Sequence, residues 1–197
     1  MNNHYEIIVI GSGPGGYVAA IRSAQLGFKT AIIEKEHLGG ICLNWGCIPT
    51  KALLKSATVF NYAKHAAEYG INIETPPHVN FTNVIQRSRN VANTMSKGVQ
   101  YLLKKNNIEI INGFAKLMPD KKISVTDNNN SNNILSAENI IIATGARPKE
   151  LPNIKIDNNF IINYKKALAL EKQPETMLVI GSGAIGTELA YLYNSIG

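Results

Sequence analysis

The chain has 197 residues, 45% apolar and 17% charged, a balance that fits a globular protein with room for one full domain and a piece of another. Its net charge of +6 is spread over Lys64, Arg87, Arg89, Lys104, Lys105, Lys121 and Lys122 without interleaved aromatics, so these read as solvated faces and no nucleic-acid partner is expected. No uninterrupted apolar run suggests a membrane span and no signal or Arg-rich transit segment precedes the first strand, so the expectation is a soluble, cytoplasmic protein.

The first element is YEIIVIGSGPGGYVAAIRSAQLGFKTAIIEK, which gives strand, glycine turn, helix and second strand in one βαβ-sized unit. Gly11 permits a tight turn, Gly13 leaves room for a pyrophosphate, and Gly16 lets the helix pack closely on the strand with its N-terminus facing the phosphates. Glu34 ends the second strand about twenty residues beyond the turn, where an acid accepts hydrogen bonds from ribose hydroxyls; Lys35 beside it is counted with the cofactor-binding residues. The bland alternative is a glycine-rich turn in some other α/β sheet. The strand ending in an acid favours a dinucleotide site.

Next comes GGICLNWGCIPTK, which holds the only two cysteines, Cys42 and Cys47, with four residues between them. Pro49 suits the first turn of a helix, and the run from Lys51 is expected to stay helical to about Gly70. Cys47 thus falls at a helix N-terminus, where the macrodipole and free backbone N–H groups favour a thiolate, with Cys42 as its disulfide partner. Two buried cysteines acting as small hydrophobes are the alternative, but Gly39, Gly40 and Gly46 suit a backbone that approaches something flat or takes positive φ. No metal site is expected: His4, His37, His65 and His78 lack zinc-ligand spacing.

A long helix is expected over residues 82–105, with Val84, Val91, Met95, Val99, Leu102 and Leu103 as a core stripe. Short strands are expected at 109–111, 114–117, 123–126 and 140–143, with an exposed asparagine-rich tip at 127–133. Residues 151–174 read as a connector. The final segment, TMLVIGSGAIGTELAYLYNSIG, repeats strand, glycine turn and helix through Gly181, Gly183 and Gly186. Glycine at the third position leans towards NAD, but the acid or arginine that separates NAD from NADP is not in this sequence.

These segments together carry a family resemblance. GSGPGG, the EKEHLGGICLNWGCIPTKALL block, IIIATGARP and GSGAIGTE occur in the order found in the flavoprotein disulfide reductases, and the chain resembles that family over its whole length. Leu43, Asn44, Ile48, Pro49 and Lys51 look like the dihydrolipoamide dehydrogenase branch, with glutathione and mercuric reductases as near alternatives. The resemblance implies an α/β fold: a glutathione-reductase-like, Rossmann-like FAD domain over residues 1–149 with a three-stranded β-meander, then the start of an NAD domain over 150–197. It implies FAD at the first fingerprint and NAD at the second, with Ala143, Thr144 and Gly145 returning the chain to the flavin and the backbone of Ala115 facing the adenine. It further implies Cys42 as the sulfur that exchanges with substrate, Cys47 as the one nearest the flavin, and Lys51 near the ring, paired with Glu188. The implied partners are lipoyl domains of 2-oxo acid dehydrogenase complexes and a second subunit in a homodimer.

Members of that family are more than twice this length and take an acid/base histidine from a C-terminal domain of the partner subunit. The expectations are therefore an N-terminal portion of such a reductase or, alternatively, an inactive flavin-binding remnant. A 197-residue product is expected to leave Ile185, Leu189 and Leu192 exposed or packed non-natively.

Overall fold

A computed structural model describes residues 3–197. In chain order the elements are β1 (His4–Ile10), α1 (Pro14–Gln25), β2 (Thr30–Glu34), α2 (Gly40–Trp45), α3 (Cys47–Lys64), α4 (Phe81–Lys105), β3 (Glu109–Asn112), β4 (Phe114–Met118), β5 (Lys122–Thr126), β6 (Asn132–Ile142), α5 (Tyr164–Ala167) and α6 (Ala184–Ile196). The chain divides into two compact units: one combines the segment up to Asn44 with Asn93–Arg147, the other Trp45–Ala92 with Pro148–Gly197.

The first unit is built on a six-stranded sheet of order β3-β2-β1-β6-β5-β4. β1 pairs in parallel with both β2 and β6, and β3 extends the parallel part beyond β2. A central parallel strand is covered on both faces and so reads as an unbroken apolar run, which is what Ile7 to Ile10 supply; Ile8 and Val9 are fully buried. The core beneath the sheet joins Tyr5, Ile8, Ile33, Ile123, Val125, Leu135 and Ala137.

The meander differs in detail from the sequence expectation. Residues 109–112 join the parallel sheet, and the third antiparallel strand is the first part of β6, which pairs with β5 from Asn132 to Ser136. The asparagine-rich tip is consequently shorter than residues 127–133. Asp127 closes it by accepting hydrogen bonds from the amides of Asn129 and Ser131, so Asn132 and Asn133 are free to enter the ladder. From Ser136 onward β6 pairs with β1, and one 11-residue strand serves both halves of the sheet.

In the second unit α3 ends earlier than Gly70. His65 leaves helical geometry (φ −109°, ψ 22°), and a short 3-10 turn over Ala66–Tyr69 then closes at Gly70, whose φ is +71°. On α4 the buried residues Ser88, Ala92, Val99 and Leu103 recur at i, i+4, i+11 and i+15, along one face. Met95 and Leu102, expected in the core, are 46% and 41% exposed; at about 50° and 70° from the centre of that face, they lie on its edge.

The last helix also departs from expectation. Leu189 and Leu192 are buried with Tyr193 and Ile196 against Leu53, Ala57, Ala167 and Leu168, so α3 and α5 supply the cover; of the three expected to lack it, Ile185 is exposed. Burial of each leucine contributes about 2 kcal/mol. The segment before it, residues 177–181, reads as a strand yet forms none. A strand needs a neighbour to take its backbone hydrogen bonds, and none of the described residues pairs with this one; Leu178 is 88% exposed.

Candidate functional site

The first fingerprint lies where β1 turns into α1. Gly11 has φ +97°, and a Cβ there would meet the Ala143 carbonyl oxygen at 2.3 Å. A Cβ at Gly16 would lie 1.8 Å from the Gly11 carbonyl oxygen, so the helix sits directly on the turn. Gly13 is different: it is the N-cap of α1 with φ −64°, and a Cβ there would project into open space. The Ala143 amide donates to the Ile10 carbonyl at 2.8 Å, which places Ala143, Thr144 and Gly145 immediately beside this turn.

Glu34 ends β2, half-buried, and its carboxylate is held by three hydrogen bonds. Oε2 accepts from the Ser12 amide at 2.9 Å and the Ser12 hydroxyl at 2.6 Å; Oε1 accepts from the Glu36 amide at 2.9 Å. Lys35 is exposed and pairs with Glu36 at 3.5 Å. Gly113 donates to the Glu34 carbonyl at 2.9 Å, and β4 with Ala115 starts from there. Gly39 and Gly40 have φ +89° and +60°; a Cβ at Gly40 would stand 2.7 Å from the Gly13 Cα, so this loop rests on the fingerprint itself. Gly46 does not take a left-handed φ (−139°).

An open space at Gly13 on a twelve-residue helix N-terminus fits a phosphate, and a carboxylate with one acceptor position left at the end of β2 fits a ribose hydroxyl. The residues present therefore fit a dinucleotide.

Cys42 sits half-buried on α2 and Cys47 is the exposed first residue of α3. Sequence reasoning missed how the segment bearing Cys42 is anchored. Asn44 Nδ2 donates to the carbonyls of Leu38 and Gly40, both at 2.9 Å, and Ser96 on α4 lies 3.0 Å from the Leu38 carbonyl and 3.1 Å from Asn44 Oδ1. Trp45 carries the Arg89 guanidinium over its ring at 4.8 Å, and burial lowers the Arg89 pKa from its ordinary value.

In the second unit Lys51 on α3 forms an ion pair with Glu188 on α6. The second fingerprint repeats the backbone of the first: Gly181 has φ +107°, Gly183 is the N-cap of α6 with open space beyond its Cα, and a Cβ at Gly186 would meet the Gly181 carbonyl oxygen at 2.6 Å. No group of three His, Cys, Asp or Glu side chains able to hold a metal ion occurs among the described residues. Nor is any helix among them long and apolar enough to cross a membrane.

Ser12 is the other residue that sequence reasoning passed over. Its signal was a small hydroxyl between the first two fingerprint glycines, with an acid at the end of the next strand.

Known proteins share this sequence and fold. A dihydrolipoyl dehydrogenase of Zymomonas mobilis is 48% identical over 197 residues, covering all of this chain and 42% of that protein. The mitochondrial dihydrolipoyl dehydrogenase of Rattus norvegicus is 42% identical over 195 residues, 98% of this chain and 38% of that protein. A solved Cu(II) complex of the HOCl-induced flavoprotein disulfide reductase RclA from Escherichia coli superposes with a TM-score of 0.85 at 28% identity, covering 99% of this chain and 41% of the other. The chain thus spans about two-fifths of the length of these relatives. The family profile of the pyridine nucleotide-disulphide oxidoreductases matches residues 5–197, and the chain belongs to that family.

Proposed function

We propose that the chain is the FAD-binding and redox-active portion of a dihydrolipoyl dehydrogenase, with residues 1–149 as the FAD domain and 150–197 as the start of an NAD domain. The observation that carries this reading is the cradle formed by Gly13, Gly40, Ser12 and Glu34, in a chain 48% identical to a dihydrolipoyl dehydrogenase. FAD bound there supplies two-electron transfer between a sulfur pair and a nicotinamide.

Gly11 turns the chain and Gly16 seats α1 on that turn, so that Gly13 and the α1 N-terminus would hold the pyrophosphate; Glu34 with Lys35 beside it would hold the adenosine ribose, and Ala115 the adenine edge through its backbone. Gly39 and Gly40 keep the loop before Cys42 close to the phosphates, and Thr144 and Gly145 border the same site. Gly181, Gly183 and Gly186 do the corresponding work for NAD.

Cys42 and Cys47, unbonded in this structure, would form the exchangeable disulfide on oxidation. A dihydrolipoyl thiolate attacks Cys42 Sγ, forming a mixed disulfide and releasing Cys47 as thiolate; the second dihydrolipoyl thiolate then attacks the substrate sulfur of that bond and releases Cys42. The substrate leaves as lipoyl disulfide, and the cysteine pair holds the two electrons. By family resemblance Lys51 would supply a positive charge to the reduced flavin, and its ion pair with Glu188 would orient it. The partners are lipoyl domains of 2-oxo acid dehydrogenase complexes and a second subunit in a homodimer, and the compartment is the cytoplasm.

The test is flavin binding and thiol counting on the purified chain. It should bind FAD, and Gly13→Val should abolish binding without unfolding it, because the added side chain enters open space and not the core. Two thiols should titrate after reduction and none after oxidation, with one remaining in each of Cys42→Ser and Cys47→Ser. Normal FAD binding by Gly13→Val, or two titratable thiols under oxidising conditions, would refute the assignment.

A further inference from the structure

Ser12 is fully buried, and its polar atoms join three parts of the first unit. Its amide and hydroxyl both donate to Glu34 Oε2, at 2.9 and 2.6 Å. In the other direction the Gly39 amide donates to the Ser12 carbonyl at 3.0 Å and lies 3.2 Å from the Ser12 hydroxyl oxygen. The hydroxyl proton has one place to go: the short bond to the carboxylate outcompetes the His37 carbonyl, which stands at 3.5 Å. Ser12 therefore ties the end of β2 to the fingerprint turn and to the loop that precedes Cys42.

This arrangement also fixes which part of Glu34 remains for a ligand. A carboxylate offers about four acceptor positions. Oε2 is used twice by Ser12, and Oε1 once by the Glu36 amide, so the remaining capacity is on Oε1. Without the hydroxyl, one strong restraint on the carboxylate is gone and Oε2 regains a site that competes for donors.

We propose that Ser12 is a positioning residue for the dinucleotide, its hydroxyl turning Glu34 so that the acceptor position left on Oε1 receives an adenosine ribose hydroxyl. This rests on the reading of the first fingerprint as the FAD site. Ser12 itself touches no ligand, and its effect passes through Glu34.

The experiment is a double-mutant cycle in the full 197-residue chain, read by quenching of flavin fluorescence on titrating apoprotein with FAD. Ser12→Ala should weaken FAD binding about tenfold, as expected for a lost charge-assisted hydrogen bond. Glu34→Ala should weaken it at least as much, and the double variant should bind within about twofold of Glu34→Ala alone. Ser12→Gly, which removes the hydroxyl and leaves no buried methyl, should reproduce the loss, with far-UV circular dichroism unchanged in every variant. Full additivity of the two substitutions, unchanged binding by Ser12→Ala, or a loss that Ser12→Gly does not share would each overturn the role of Ser12 while leaving the FAD site standing. Absence of FAD binding by the unmutated chain would overturn both.

Discussion

Gly16 faces Gly11 across a gap that admits no side chain: a Cβ on Gly16 would stand 1.8 Å from the Gly11 carbonyl oxygen. Gly186 faces Gly181 in the same way at 2.6 Å. Both obstacles are backbone atoms, so relief requires moving a helix or its turn. Gly16→Ala is expected to destabilise the first unit by about 3 kcal/mol and Gly186→Ala the second by about 1–2 kcal/mol. Hydrogen exchange of the β1 amides reads the first and of the α6 amides the second; equal losses would contradict the difference in spacing.

Tyr193 sets an alkaline limit for the second unit. It is buried on α6, donates its hydroxyl to the Ala167 carbonyl at 2.5 Å, and burial pushes its pKa from 10.0 up to about 12. The folded chain keeps this proton at pH values where the unfolded chain releases it. Stability from this group is therefore fully present below pH 10.0 and declines as pH rises to about 12. Tyr193→Phe should cost about 1 kcal/mol at neutral pH and flatten the alkaline decline. Urea midpoints at neutral and alkaline pH measure both effects, and an equally steep decline in Tyr193→Phe would assign it to another group.

An acid-sensitive turn lies at the other extreme. Asp157 Oδ1 accepts from the amides of Asn159, Ile161 and Phe160 at 2.8, 2.8 and 2.9 Å, and these bonds lower its pKa below 3.8, that to Asn159 foremost. Order in residues 157–161 should hold above the ordinary carboxylate range and be lost as pH falls through the depressed value. Amide exchange at residues 159–161 should accelerate there, and Asp157→Ala should show fast exchange at every pH. Slow exchange in that variant would show that other contacts hold the turn.

The Lys51–Glu188 pair is open to solvent, with 65% of the lysine side chain and 30% of the glutamate side chain exposed. An ion pair so placed contributes below about 1 kcal/mol and is screened by salt. Lys51→Met should leave the urea midpoint nearly unchanged, even though Lys51 is assigned a place beside the flavin. A loss well above that figure would mean the pair is a structural tie.

Much of the first unit was legible in the sequence because its signals are local. Glycines at 11, 13 and 16 followed by an apolar strand ending in Glu34 specify a βαβ turn within about thirty residues. The pairing of Lys51 with Glu188, 137 residues apart, was read only through family resemblance; periodicity carries no such information. The anchoring of Asn44 by Ser96 was not legible, since a serine within a 25-residue helix looks like any polar helix position. The cover found by Leu189 and Leu192 was likewise hidden: it depends on α5, a four-residue helix whose Asn163 cap lies in a stretch that reads as a connector. Residues 177–181 show the converse. Their composition is that of a strand, but strand formation depends on a neighbour.

The double pairing of β6 has a consequence for the order in which the protein is made. β2 follows β1 closely in the chain and can pair with it early, but the other side of β1 waits for residues 136–142. His4 and its partner Ser136 are separated by 132 positions, so for most of synthesis the nascent chain carries an apolar strand with one side unsatisfied. Such late, long-range closure slows folding and exposes the chain to association with its neighbours. Slower elongation before residue 142 would prolong that interval, whereas a chaperone covering Ile7 to Ile10 would protect it, and soluble yield should respond to both.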